Sequence, residues 1–438
     1  MSLATTPAPP QRAARPILVT AVGFRRLMLW LFVFSSSFVK IEPAPYEFLF
    51  MFVALAFAAG GALRFHVALA PLVAALTMLN VGGLASVTPW IFETKAVIFV
   101  LISIYMSITC IFFACLMLDD TFDRLDTIKS AYAWTAAIAS ILGLLGYFDI
   151  AGTKELLSRN DRAMGLFKDP NVFGPFLVLP LVWLADDLVS GTWRGRANRV
   201  TLGAIWSTIV PLFLIIVGMF LSMSRGAWGV CIAAMGLTIA LRFFLEADAR
   251  LRGRIIVMTL AGVGALAVLL VIALTIPEIS ELFKQRASLD QDYDGGALGR
   301  FGGQLRSIPL LLSSPNGFGP LRFPLVVGNE DPHNVYINSF AAYGWIGGVS
   351  YFAMVAMTLF VGWRLVLKKG PFRSVALPVW ACAFFHILQG FQIDTDHWRH
   401  YFLLVGLSWG LAVASPAAAL GRMVVARRAT PSAQKAMA

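Results

Sequence analysis

Charged side chains are scarce in this chain: Asp, Glu, Lys and Arg make up 13% of its 438 residues. Soluble domains carry roughly 25%, so an ordinary cytosolic enzyme is excluded. Cysteine is nearly absent. The four present (Cys110, Cys115, Cys231 and Cys382) all lie inside apolar runs, which gives no extracellular disulfide framework. No small-residue cleavage site follows an apolar core near the start. Residues 1–23, rich in Pro and Ala, therefore read as a disordered tail and not as a signal peptide. The glycines between 295 and 303 lack the Lys-Ser/Thr ending and the flanking strand of a phosphate loop, and read as a hinge.

What is abundant is apolar surface. Hydrophobic residues reach 58%, with 34 Phe and 12 Trp, and the mean hydropathy is +0.75. A bilayer crossing needs roughly 20 mostly apolar residues. About twelve runs approach that length, near 26–39, 46–63, 67–87, 96–118, 131–150, 171–189, 201–222, 226–245, 255–276, 333–366, 375–392 and 400–418. The expected fold is an all-α polytopic membrane protein of about twelve transmembrane helices spanning 24–418. Gly344, Gly347 and Gly348 are placed to bend or break the long tenth run, and 419–438 forms a second tail.

The net charge of +11 looks at first like a nucleic-acid signal. Sorting it by loop changes that reading. With the N-terminus placed in the cytoplasm, 22 of the 35 Lys and Arg fall inside against 8 of the 24 acidic residues, an inner face of +14 and an outer face of −3. That is the positive-inside pattern, with both tails cytoplasmic and no nucleic-acid partner implied.

The outer basic residues are the minority that orientation does not require. Most lie in two outer loops, 151–170 and the long 277–332. Loops beyond about 15 residues are usually functional or disordered. The longer one carries two amphipathic stretches, Glu278–Leu289 and Arg300–Leu312, joined by Gly295, Gly296 and Gly299. It reads as a cap of short helices with mobile joints.

Three helix starts face this side. Asp169-Pro170-Asn171 precedes the sixth run, Asp331-Pro332-His333-Asn334 the tenth, and Ser222-Met223-Ser224-Arg225-Gly226 joins the seventh to the eighth. Asp and Ser cap helices, and Pro suits the first helical position. Helix N-termini present unpaired N–H groups and partial positive charge, which favour phosphate. Arg162 and Arg225 stand beside two of them and add a bidentate fork. Taken one at a time, such residues are better explained by ordinary capping and headgroup snorkelling. Arg225 is harder to set aside: in so tight a hairpin its charge costs about 2–4 kcal/mol unless paired or hydrated.

His333 would sit in the first turn of the tenth span, either as a general base or holding the loop by hydrogen bonds. His386 and Gln389 share a face of the eleventh span and are expected to bond across helices. Asp394, Asp396, His397 and His400 match no metal signature, and with Trp398 and Arg399 read as a solvated interfacial loop. Outer Arg and His point to transfer from a phosphate-activated donor. A transporter would place ionisable groups at mid-membrane and show internal repeats, and neither is evident.

Arg162-x-x-Gly165-x-Phe167-x-Asp169-Pro170-Asn171-x-Phe173-Gly174, Ser224-Arg225-Gly226-Ala227-Trp228 and His333-Asn334-x-Tyr336 with Gly344-x-x-Gly347 resemble the O-antigen ligase and polymerase superfamily. Gly299-Arg300 followed by Pro315-Asn316-Gly317-Phe318-Gly319 resembles that family's large periplasmic loop. The resemblance covers roughly 155–350. It implies an inverting glycosyltransferase of the GT-C type in the bacterial inner membrane, independent of metal and cofactor. The donor would be a glycan on undecaprenyl diphosphate and the acceptor a hydroxyl of lipid A-core or a similar glycan, at the periplasmic face. By the same resemblance Arg162, Arg225 and Arg300 would grip the diphosphate and His333 would serve the acceptor hydroxyl. Asp331 competes with His333 as base and Arg306 with Arg300 as phosphate ligand. Asn171, Asn334 and Tyr336 would support them. A polymerase joining lipid-linked repeats is the main alternative, a polysaccharide-lipid transporter the third reading.

Overall fold

The computed structural model describes residues 20–41, 43–194, 200–287, 299–328 and 330–429. The helices are α1 (Ala21–Phe34), α2 (Pro45–Ala59), α3 (Ala70–Val87), α4 (Thr94–Leu116), α5 (Thr121–Tyr147), α6 (Pro170–Ser190) and α7 (Leu202–Leu221). They continue as α8 (Arg225–Leu245), α9 (Ala249–Ala273), α10 (Pro277–Ala287), α11 (Arg300–Leu312), α12 (Val335–Leu367), α13 (Arg373–Gln389) and α14 (Arg399–Ala429). Every apolar run falls on one of them. Among the described residues, eight helices (α3 to α9 and α12) are long and apolar enough to cross a membrane. The all-α class therefore holds, while α1, α2 and α13 are shorter, at 14, 15 and 17 residues. Helix α1 begins at Ala21, inside the 1–23 stretch read as a tail, whose residues 1–19 lie outside the described residues. The 151–170 loop contains an unexpected small antiparallel pair, β1 (Ser158–Arg159) with β2 (Arg162–Ala163).

Prolines inside the spans leave carbonyls without their helical donor, and side chains from neighbouring helices supply one. Pro180 of α6 has no N–H for the Phe176 carbonyl, which accepts instead from the Tyr132 hydroxyl of α5 at 3.0 Å. Pro378 of α13 frees the Ser374 carbonyl, and Arg242 of α8 donates to it at 3.0 Å. Arg242 also grips Asp186 of α6 bidentately at 2.6 Å and meets Glu246 at 3.3 Å, while Arg373 donates to Glu246 at 2.9 Å. This buried network ties α6, α8 and α13 at the end of the bundle away from the 151–170 loop.

The break expected in the tenth run is at Gly344, whose φ of 65° and ψ of −171° split α12 into two half-helices. The orphaned backbone groups are met by the Pro315–Gly319 loop. Trp345 N–H donates to the Pro315 carbonyl at 2.8 Å, and the N–H groups of Phe318 and Gly319 donate to the Ala341 carbonyl at 2.8 and 3.1 Å. Two motifs distant in sequence are thus one structural device. Just beyond, Gly82 of α3 lies against the Tyr343 carbonyl and the Gly347 amide so closely that any side chain would collide. Such small-residue contacts are how helices pack tightly in a membrane.

Helix α9 stands apart. Ile255 is its one buried residue, and Val257, Leu260, Val263 and Val271 are exposed, as suits a lipid-facing helix.

Candidate functional site

The starts of α6, α8 and α12 lie at one end of the bundle. Helix α6 begins as expected: the Asp169 carboxylate accepts from Asn171 N–H at 2.6 Å and Pro170 occupies the first position. Arg162, on β2, is buried against it. Its Nη2 donates to Asn171 Oδ1 at 2.7 Å and its Nε to the Ser222 carbonyl at 2.9 Å. One guanidinium therefore joins the 151–170 loop, the α6 start and the turn before α8.

That turn is tight. Met223 adopts a left-handed φ of 47°, and Ser224 stands at the cap of α8 without a side-chain capping bond. Half-buried Arg225 is the first helical residue of α8. The amide of Gln389 lies against Gly226, and its Oε1 is buried without a hydrogen-bond partner among the described residues.

The α12 start departs from expectation. Asp331 does not cap it; Asn334 does, accepting from Tyr336 and Ile337 N–H at 3.1 and 3.2 Å. His333 is accordingly not in the first helical turn. It lies in the preceding turn with a left-handed φ of 46°, half-buried. Three partners hold this turn. Gln304 of α11 donates to the Pro332 carbonyl at 2.9 Å, Val335 N–H donates to the Gly390 carbonyl at 2.8 Å, and Asp394 accepts from Asn334 N–H at 3.1 Å. Tyr336 packs behind it and donates its hydroxyl to the Ile387 carbonyl at 2.7 Å. The turn closing α13 therefore touches both the Arg225 and the His333 ends.

Other residues go elsewhere. Arg306 donates to the Val327 carbonyl at 3.3 Å, within its own loop. Arg300 heads α11, and its side chain lies outside the described residues, as do Gly295 and Gly296 of the hinge. His386 bonds across helices as expected: its ring nitrogens lie 2.8 Å from the Cys382 carbonyl and 3.2 Å from the Pro175 carbonyl of α6.

The 394–400 segment is not the solvated loop expected. Thr395, Asp396, Trp398 and His400 are buried. Asp396 accepts from the Tyr343 hydroxyl at 3.0 Å and from Asn338 Nδ2 at 3.3 Å. Sequence reading missed Gln304, Asn338 and Tyr343, because isolated polar residues on apolar helices carry no pattern that separates site from core. Among the described residues no His, Cys, Asp and Glu group is arranged to hold a metal ion.

Burial, and then the charges of Asp396 and Asp331, push the Asp394 carboxyl well above the usual carboxylate range, against the pull of the Asn334 and His333 N–H groups. The folded chain holds this proton more tightly than the unfolded chain does. Its stabilising effect is therefore complete below about pH 4 and is lost as pH rises through the raised native value. Asp394→Asn keeps an acceptor for the turn without the charge. Its melting temperature at pH 7 is expected above that of the wild type, by roughly 1–2 °C per kcal/mol relieved in a chain this long. The gap should close toward pH 4; thermal scans across that range check it.

Fold and site together define a polytopic helical membrane protein with an arginine-flanked cluster of helix starts at one end. Residues 210–352 match the family model described as O-antigen ligase, so the resemblance to the O-antigen ligase and polymerase superfamily holds over about a third of the chain. That segment contains Arg225, Arg300, His333 and the Gly344 break; Arg162 and the 389–398 turn lie outside it. The match supports a ligase- or polymerase-type function in general terms, with lipid-linked glycans as substrates in a membrane setting. No curated protein matches the chain.

Proposed function

We propose that the protein is an inverting glycosyltransferase of ligase type, crossing the bacterial inner membrane twelve times with both termini cytoplasmic. Its site faces the periplasm and takes a glycan on undecaprenyl diphosphate. The observation that carries this reading is the Arg162 bracket, which holds the α6 start against the Arg225 turn. Two helix N-termini and two guanidinium groups are thereby gathered where a diphosphate is best stabilised.

In this reading the acceptor oxygen attacks the anomeric carbon, the bond from that carbon to the diphosphate oxygen breaks, and undecaprenyl diphosphate leaves. The acceptor proton passes to the His333 imidazole, with Asp331 the competing base. Negative charge grows on the leaving diphosphate, and Arg225 offsets it, with Arg300, at the head of α11, as the second candidate. Arg162 is already engaged by Asn171 and Ser222, so its part is chiefly to fix Arg225 in place. Arginine supplies the positive charge that a divalent ion would otherwise bring, so the scheme calls for no metal and no cofactor.

Ligase and polymerase share this chemistry and differ in the acceptor, lipid A-core or another lipid-linked repeat. Deleting the gene and extracting lipid-linked intermediates separates them. Accumulated long chains are expected for a ligase, single repeats would indicate a polymerase, and an unchanged profile counts against both.

A further inference from the structure

A cavity of about 310 Å³ opens beside the α12 start. Its walls come from distant segments: Phe99 of α4, Phe167 before α6, Asp331 and Asn338 on either side of His333, and Asp396 and Trp398 after α13. The last two lie beyond the segment that matches the ligase family.

Charge restricts what enters. Asp331 and Asp396 both line the cavity, while the lining cations Arg399 and Lys168 have partners of their own, Glu47 in the case of Arg399. A diphosphate would meet like charge here and belongs on the Arg225 side instead. Chemistry restricts it further. Carboxylate and amide oxygens accept hydrogen bonds from hydroxyl groups. Asp331 makes no hydrogen bond with any described residue, and the Asn338 amide, held by Asp396 at 3.3 Å, is half-buried. The half-buried ring of Phe99 supplies apolar surface beside them, with the buried rings of Phe167 and Trp398 behind it. A ligand with many hydroxyls, no charge and one apolar face satisfies both walls, and the volume falls at the small end of the range for small-molecule sites.

We propose that this cavity is a subsite for an uncharged hexopyranose ring of the acceptor glycan, with Asn338 and Asp331 binding its hydroxyls and Phe99 packing on its apolar face. The assignment to the acceptor rests on the transferase reading above, since the candidate base His333 lies between Asp331 and Asn338 in the chain. It adds a recognition element that the arginine-flanked helix starts do not supply.

Saturation-transfer NMR on the detergent-solubilised full chain tests it. The probes are the methyl glycosides of glucose, galactose, mannose and N-acetylglucosamine, with methyl glucuronoside as the charged counterpart. At least one neutral glycoside should show transfer, and the glucuronoside less. Asn338→Leu should weaken it by about fivefold, the loss of one net hydrogen bond. Asp331→Asn, on an exposed turn, serves as a second variant that spares the fold and should weaken it in the same direction. No transfer from any neutral glycoside, or transfer unchanged in both variants, overturns the subsite. Inorganic diphosphate, titrated into the same samples, reports on the other half. Its binding should be lost in Arg225→Ala and kept in Asn338→Leu. Glycoside transfer without diphosphate binding would contradict the transferase reading while leaving the sugar subsite standing.

Discussion

Replacing Arg225 or His333 with alanine is expected to abolish transfer of glycan to the cell surface while the protein still inserts at normal abundance. Arg225 is the first residue of α8, at a helix start without a side-chain cap. It adds a full charge where the helix already presents aligned N–H groups, so its loss removes stabilisation that matters most as the diphosphate departs. Removal of one such group typically lowers rate by about 10²–10³-fold. Loss of a general base costs about 10²–10⁴-fold, the range expected for His333→Ala. Neither change touches the Arg242 network that fixes the far ends of α6, α8 and α13. Surface glycan in a complemented deletion strain, with immunoblotting for protein level, gives the answer. Full activity in both variants would remove the assignment.

The largest stability effect is expected at Arg242. This side chain is 5% exposed and makes a bidentate pair with Asp186, contacts Glu246, and fills the carbonyl that Pro378 leaves open. Arg242→Ala leaves Asp186 buried without its partner, a loss of about 3–5 kcal/mol. The paired change Arg242→Met with Asp186→Leu removes both charges and should recover a large part of that, since the cost lies in the stranded carboxylate. Thermal unfolding in detergent orders the three: wild type, then the double variant, then Arg242→Ala. A double variant no better than Arg242→Ala would show that the proline carbonyl, and not the ion pair, dominates.

Much of this fold was legible because a bilayer imposes a plain rule on sequence. Apolar runs of span length must be helices, and each of those runs is one. The bend in the tenth run was readable from glycine alone, but its filling was not. Nothing in Pro315-Asn316-Gly317-Phe318-Gly319 says that its carbonyls and N–H groups close a gap at Ala341–Trp345. Arg162 and Arg225 could be placed at helix starts from capping residues, yet their link through the Ser222 carbonyl is a long-range backbone contact that carries no side-chain signature. The α12 cap was misassigned for a related reason. Asp331-Pro332 has the composition of a cap, but Asn334 takes that role once His333 turns left-handed, which local sequence does not decide. The 394–400 segment looked solvated from its charges. Its burial depends on Tyr343 and Asn338, which reach Asp396 from another helix.

The central claim is that the arginine-flanked helix starts hold the diphosphate of a lipid-linked glycan while an acceptor displaces it. Its most direct test is product release in proteoliposomes containing the purified chain, an undecaprenyl-diphosphate glycan and lipid A-core acceptor. Undecaprenyl diphosphate should appear in step with acceptor-linked glycan, one for one, and both should vanish together in Arg225→Ala. Glycan reaching the acceptor at an undiminished rate in Arg225→Ala, or donor carried across the membrane with its diphosphate bond intact, would contradict it.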